Sequence, residues 1–144
     1  MALPLIDITL RPGFSLLLAG EGRYTPAETR FVVRELIGPT LPMLFVMNCH
    51  EFGMNSETPE AAVQVRFHDY GKDDVNIADL WIVVRFGEEA PARLRRIEIR
   101  DAVCKTIIDL IASHGAKVPD NFMIDLFWGP THACGTVNGT MINW

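Results

Sequence analysis

A chain of 144 residues is long enough to bury one hydrophobic core, and the expectation is a single domain spanning 1–144. With 49% of its residues apolar and no low-complexity stretch, it is not a disordered chain, while its longest apolar runs, LPMLFVM and LWIVV, fall well short of a membrane span. A net charge of −5 argues against nucleic acid as the main partner, since phosphate binding needs a basic surface.

No charged segment followed by a hydrophobic one opens the chain, which gives a cytoplasmic expectation. Cys49, Cys104 and Cys134 are odd in number and far apart, and read as free thiols in a reducing compartment.

The first element is LPLIDITL (3–10), a strand with Leu5, Asp7 and Thr9 on one face and Ile6, Ile8 and Leu10 on the other. RPGFSLLLAGEGRY follows, with turn residues at both ends and three leucines between, and reads as a packed loop or a short helix. TPAETRFVVRELIGP predicts a helix with Thr25 as N-cap, Pro26 in its first position and Glu28 completing a capping box. Gly38 and Pro39 are expected to stop it. PMLFVMNCHEF (42–52) reads as a strand apolar on both faces, hence central in a sheet.

AVQVRFH (62–68) alternates as a half-exposed strand, and IADLWIVVRF (77–86) reads as a buried one. APARLRRIEIRDAVCKTIIDLIASHG is the longest predicted helix, begun near Pro91 and closed by Gly115. Its ARLRR segment with Arg100 reads either as a solvated helix face or as an anion site. NFMIDLF (121–127) is the last long strand, before turns and a short terminal strand.

Laid side by side, the chain repeats itself: strand, Arg11-Pro-Gly, helix, strand, and then strand, Arg85-Phe-Gly, helix, strand. Each half predicts a βαβ unit, in which the crossover makes the strands parallel. The expected fold is therefore α/β: two βαβ repeats in a four-stranded sheet, two helices on one face, and short extra strands. The uncovered sheet face then calls for an oligomer.

PLIDITLRPG, LWIVVRFGEEAPARLRRIEIRDAVCKTIIDLI and VPDNFMIDLFWGPTHACGTVNGTMINW resemble the tautomerase superfamily of 4-oxalocrotonate tautomerase, malonate semialdehyde decarboxylase and macrophage migration inhibitory factor. The resemblance implies a homotrimer with sites near subunit interfaces, no cofactor, and an enol or 2-oxo acid substrate. It also implies a proline amine at the mature N-terminus as base or acid, a role that falls on Pro4. Arginines hold the substrate carboxylate in such proteins, because the guanidinium fork matches it. Arg85 matches one by position, Gly87 stands where some members carry a second, and Arg11 ends the first strand.

Pro4 also has a plain reading, as the opening residue of a strand. Inside a chain its nitrogen is an amide with no basic lone pair, so catalysis by proline needs residues 1–3 removed. Otherwise the primary amine of the actual N-terminus, that of Ala2 after Met removal, has to reach the same pocket and act as the base. The alternative function is a non-catalytic trimer that keeps the fold and binds a ligand or partner.

His50 and Trp128, each at or just past a predicted strand end, are further candidates for substrate contact. The Cys and His residues lack the spacing of paired zinc ligands, so no metal is expected. Cys134 and His132 lie too close along an extended segment to make a catalytic pair, and GPTHACGTVNG lacks a nucleotide-binding glycine pattern. The partner expected is a small carboxylate-bearing molecule.

Overall fold

A computed structural model describes residues 4–71, 73–75 and 77–129, together with the backbone of 134–137 and 140–143. Strand β1 (Leu5–Leu10) leads through a packed loop to helix α1 (Pro26–Phe31), a π-helical segment Val32–Ile37 and helix α2 (Gly38–Met47), which follow one another without a break. A 3-10 turn, Glu60–Ala62, precedes strand β2 (Gln64–Asp69). The second half is β3 (Leu80–Arg85), α3 (Arg93–Ser113) and β4 (Phe122–Phe127), followed by β5 (Cys134–Val137) and β6 (Thr140–Asn143).

The main sheet has the order β2-β1-β3-β4. β1 runs parallel to β2 and β3 parallel to β4, while β1 and β3 pair antiparallel. Two βαβ units thus meet back to back through their first strands. β5 and β6 form a separate antiparallel pair.

Alternation decides which face is covered. Ile6, Ile8 and Leu10 of β1, with Leu80, Ile82 and Val84 of β3, enter the core beneath the helices. The helices answer with Val33, Ile37, Leu41 and Phe45 from the first crossover and Ile99, Val103, Ile107 and Ile111 from α3. These α3 residues recur every four positions, so one stripe of that helix is buried.

The capping box forms as the sequence predicts: Thr25 accepts from the Glu28 amide and Glu28 accepts from the Thr25 amide. Gly115 follows α3 with φ +74°, the left-handed conformation of a C′ glycine.

Two expectations are corrected. Gly38 and Pro39 do not stop the helix, and 42–52 is not a strand; the helix runs through to Met47 and ends in turns. Pro39 has no N–H to donate to Glu35 four residues back, and its ring would crowd that carbonyl in a regular α-helix. Just before it the winding widens, so that the Gly38 amide reaches Val33 five residues back. The apolar run then continues helically, with Leu41 and Phe45 in the core and Met47 70% exposed.

The loop after β1 is a packed one. Leu16 is fully buried, its amide donates to Thr29 Oγ1 at 3.0 Å, and the Tyr24 hydroxyl donates to the His114 carbonyl at 2.8 Å. Among the described residues no helix is long and apolar enough to cross a membrane.

Candidate functional site

The register of β1 against β3 decides what meets what. Leu5 pairs with Arg85 and Leu10 with Leu80, so the start of β1 lies beside the end of β3. Pro4, one residue before Leu5, is buried, and its carbonyl accepts from the Gln64 amide at 3.1 Å. On the next strand Arg85 pairs with Phe127, and its guanidinium lies over that ring at 5.2 Å from the centroid. Pro4, Arg85 and the residue after β4, Trp128, therefore gather at one end of the sheet.

The two faces of that end differ. Arg85 and Phe127 alternate onto the open face with Leu5. Trp128 belongs to the helix side, where it stacks on Phe86 with centroids 5.4 Å apart, and Phe86 stacks in turn on Phe45. Phe86, Glu88, Glu89, Pro91, Arg95 and Trp128 are among the residues lining a cleft of about 240 Å³ there. Arg95 also donates to the His50 carbonyl, so His50 is tied to this region through its backbone while the residue itself is exposed.

Arg11 lies elsewhere. It follows β1, at the opposite end of the sheet from Arg85, where its Nε meets Asp79 at 2.7 Å and its Nη2 donates to the Ile77 carbonyl at 2.5 Å. The antiparallel pairing of β1 with β3 sends the two matching arginines to opposite ends.

Three residues that the sequence analysis passed over form the tightest polar group on the open face. Asp7 is only 9% exposed. Its Oδ1 accepts from Arg66 Nε at 2.9 Å and lies 2.8 Å from His68 Nε2, and its Oδ2 accepts from Arg66 Nη2 at 3.2 Å. Burial pushes the Asp7 carboxyl up, but the hydrogen bonds from Arg66 and His68 outweigh it and hold the group below its ordinary value. The signal for this cluster was legible: one charge inside an otherwise apolar strand has to find partners. A second polar pair on the same face is Trp81 Nε1 donating to Asp125 Oδ2 at 2.7 Å.

Cys49 and Cys104 are free thiols, and burial pushes the Cys104 thiol up, away from thiolate chemistry. Among the described residues no group of three His, Cys, Asp or Glu side chains is placed to hold a metal ion. His132 and Trp144 lie outside the described residues, as does the Cys134 side chain, which the backbone of β5 carries.

Fold and site together define an α/β protein of doubled βαβ units with an arginine and a proline at one sheet end. No family model and no curated protein matches the chain. Among solved structures it is similar to N1, a member of the cis-3-chloroacrylic acid dehalogenase family, at 16% identity and TM-score 0.46, covering 96% of this chain and 82% of that one. It is similar to Pt0534 inactivated by 2-oxo-3-pentynoate at 18% identity and TM-score 0.42, covering 94% and 93%. Leishmania major MIF2 matches at 11% identity and TM-score 0.47, covering 99% and 100%. All three are members of the tautomerase/MIF superfamily. At these identities and TM-scores the chemistry of the site rests on this chain's own residues.

Proposed function

We propose that the protein is a small tautomerase-like enzyme acting on an enol or 2-oxo acid, in which the secondary amine of Pro4, freed by removal of residues 1–3, moves the proton. Arg85 binds the substrate carboxylate, and Trp128 forms part of the wall on the helix side. A homotrimer closes the open sheet face and completes the site. The observation that carries this reading is the register: Pro4 immediately precedes Leu5, the residue that pairs with Arg85. The residue that supplies the base and the residue that supplies the carboxylate-binding cation are then one position apart in the register of neighbouring strands.

The chemistry of such a pair is simple. An α-amino group has a reference pKa of about 7.7–8, so a modest downward shift makes it a base at neutral pH. A guanidinium beside it fixes the carboxylate in a bidentate fork and orients the carbon that gains or loses the proton.

A second reading is a ligand- or partner-binding trimer without catalysis. It is favoured by Met1–Leu3 in the sequence ahead of Pro4, since an acylated prolyl nitrogen is not a base.

The test has two parts. Intact mass and N-terminal sequencing of protein from its native host determine whether the mature chain starts at Pro4. Ketonisation of 2-hydroxymuconate or phenylenolpyruvate is then followed for chains with and without residues 1–3. Turnover above background by the chain that starts at Pro4, absent when residues 1–3 are retained, is the expected result. Background rates from both forms leave the binding protein as the function.

A further inference from the structure

Helix α3 opens with a charge pattern that the reading above leaves unused. Arg93, Arg96 and Arg100 stand at i, i+3 and i+7, one helix face, and span about 10 Å along the axis. Together with Ile97, Ile124, Asp125, Leu126 and Trp128 they line a cleft of about 400 Å³ between α3 and the edge strand β4. Among the described residues it is larger than the cleft of about 240 Å³ that Trp128 also borders, and Arg85 is not part of its lining.

Three features set the stripe apart from an ordinary solvated helix face. Such faces alternate in sign and gain from acid–base pairs three or four residues apart. Here the neighbours at those spacings are arginines themselves, and like charges at i,i+3 and i,i+4 weaken a helix. Among the described residues the salt bridges on α3 are Arg100–Asp101 and Lys105–Asp109, which leaves Arg93 and Arg96 without a carboxylate. In a chain of net charge −5, three cations have thus been collected along one cleft and left largely uncompensated.

The remaining wall fits the same occupant. Ile97, Ile124, Leu126 and the Trp128 ring supply an apolar side, and the volume lies in the range of small-molecule sites. Asp125 is the one acid in the lining, and its Oδ2 already accepts from Trp81. It repels an anion from the β4 side and confines negative groups to the arginine side.

We infer that this cleft binds a small organic polyanion, with two negative groups seated along Arg93, Arg96 and Arg100 and a short apolar or planar body against Trp128. Arginine forks pair bidentately with phosphate and with carboxylate alike. The shared chemistry is therefore two separated anionic groups on one small molecule, drawn from phosphate esters or from polycarboxylates.

Titration calorimetry of the protein, with pyrophosphate, citrate and ADP as probes, tests this. At least one probe is expected to bind, and the R93A/R96A double variant should weaken it about tenfold or more, as loss of charge-assisted hydrogen bonds does. The R30A variant removes the same kind of charge at a distant site, where Arg30 pairs with Asp69, and should keep the affinity. Preference among the probes tells a phosphate ligand from a polycarboxylate. The inference is overturned if no probe binds at millimolar concentration, or if R93A/R96A and R30A weaken binding equally. Both arginines are exposed, and a thermal melt of each variant checks that folding is intact.

Discussion

At the scale of single residues, position relative to a neighbouring strand matters more than residue type. Arg85 and Arg11 occupy equivalent places in the repeat, yet Arg11 is held by Asp79 while Arg85 lies over an aromatic ring beside the start of β1. Arg85→Ala is expected to raise the KM of ketonisation about tenfold or more, with a smaller change in kcat. An unchanged KM would remove Arg85 from substrate binding. Asp7 belongs to stability. Its carboxyl is held below the ordinary aspartate value, so its contribution is fully present above the unfolded-chain pKa of about 3.9 and is lost as pH falls through the lower folded value. Asp7→Asn should therefore cost about 1–3 kcal/mol at neutral pH, from weakened hydrogen bonds to Arg66 and His68. Denaturant melts should show that gap narrowing below pH 4 or so. A gap that stays constant into strong acid would mean the charge on Asp7 is not its source.

At the scale of elements, the first crossover shows how a backbone exception is absorbed. Pro39 and Pro42 both lie in α2, and the π-helical segment before them lets the helix continue instead of ending. Gly38 is needed at that point for packing, not for its backbone angle, since its φ is −56°. A Cβ there would fall 2.2 Å from Phe67 Cζ of β2. Alanine has the better helix propensity, but the clash outweighs it, and Gly38→Ala should destabilise the protein by about 1–2 kcal/mol. Phe67→Leu in the same chain should recover part of that loss. A neutral or stabilising G38A, read from a urea melt, would show that the Phe67 ring yields without cost.

At the scale of the whole molecule, the helices cover one face of the sheet, and among the described residues nothing packs over the other. The open face carries Met123 at 46% and Phe127 at 47% exposure, beside Leu5, Trp81 and Val83. Large apolar side chains exposed on such a face, around the polar cluster of Asp7, Arg66 and His68, are the mark of an interaction surface. Sedimentation should give the mass of a trimer, and Met123→Lys should shift it toward the single chain. Met47→Lys, on the helix side, should leave the mass alone although Met47 is the more exposed of the two methionines. A wild-type chain sedimenting as a monomer, or equal effects from the two variants, would count against assembly through this face.

The sequence by itself determined that the chain holds two βαβ units, though it closed the first with 42–52 instead of Gln64–Asp69. It also determined the limits of β1 and β4 to within a residue or two, the capping box at Thr25 and the C′ glycine at 115. Those features are local: alternation, a cap and a turn residue each act over a few positions. The run from 42 to 52 was misread because a short apolar stretch has no period that tells a strand from a buried helix, and a Gly-Pro pair looks like a stop. Tertiary structure alone decided the rest. The antiparallel pairing of β1 with β3 sent Arg85 toward Pro4 and Arg11 away from it. The pairing of β1 with β2 brought Arg66 and His68 onto Asp7, and the packing of α3 beside β4 turned three arginines into the wall of a cleft. Each of these depends on which strands are neighbours, and contacts between residues far apart in the chain leave no period in it.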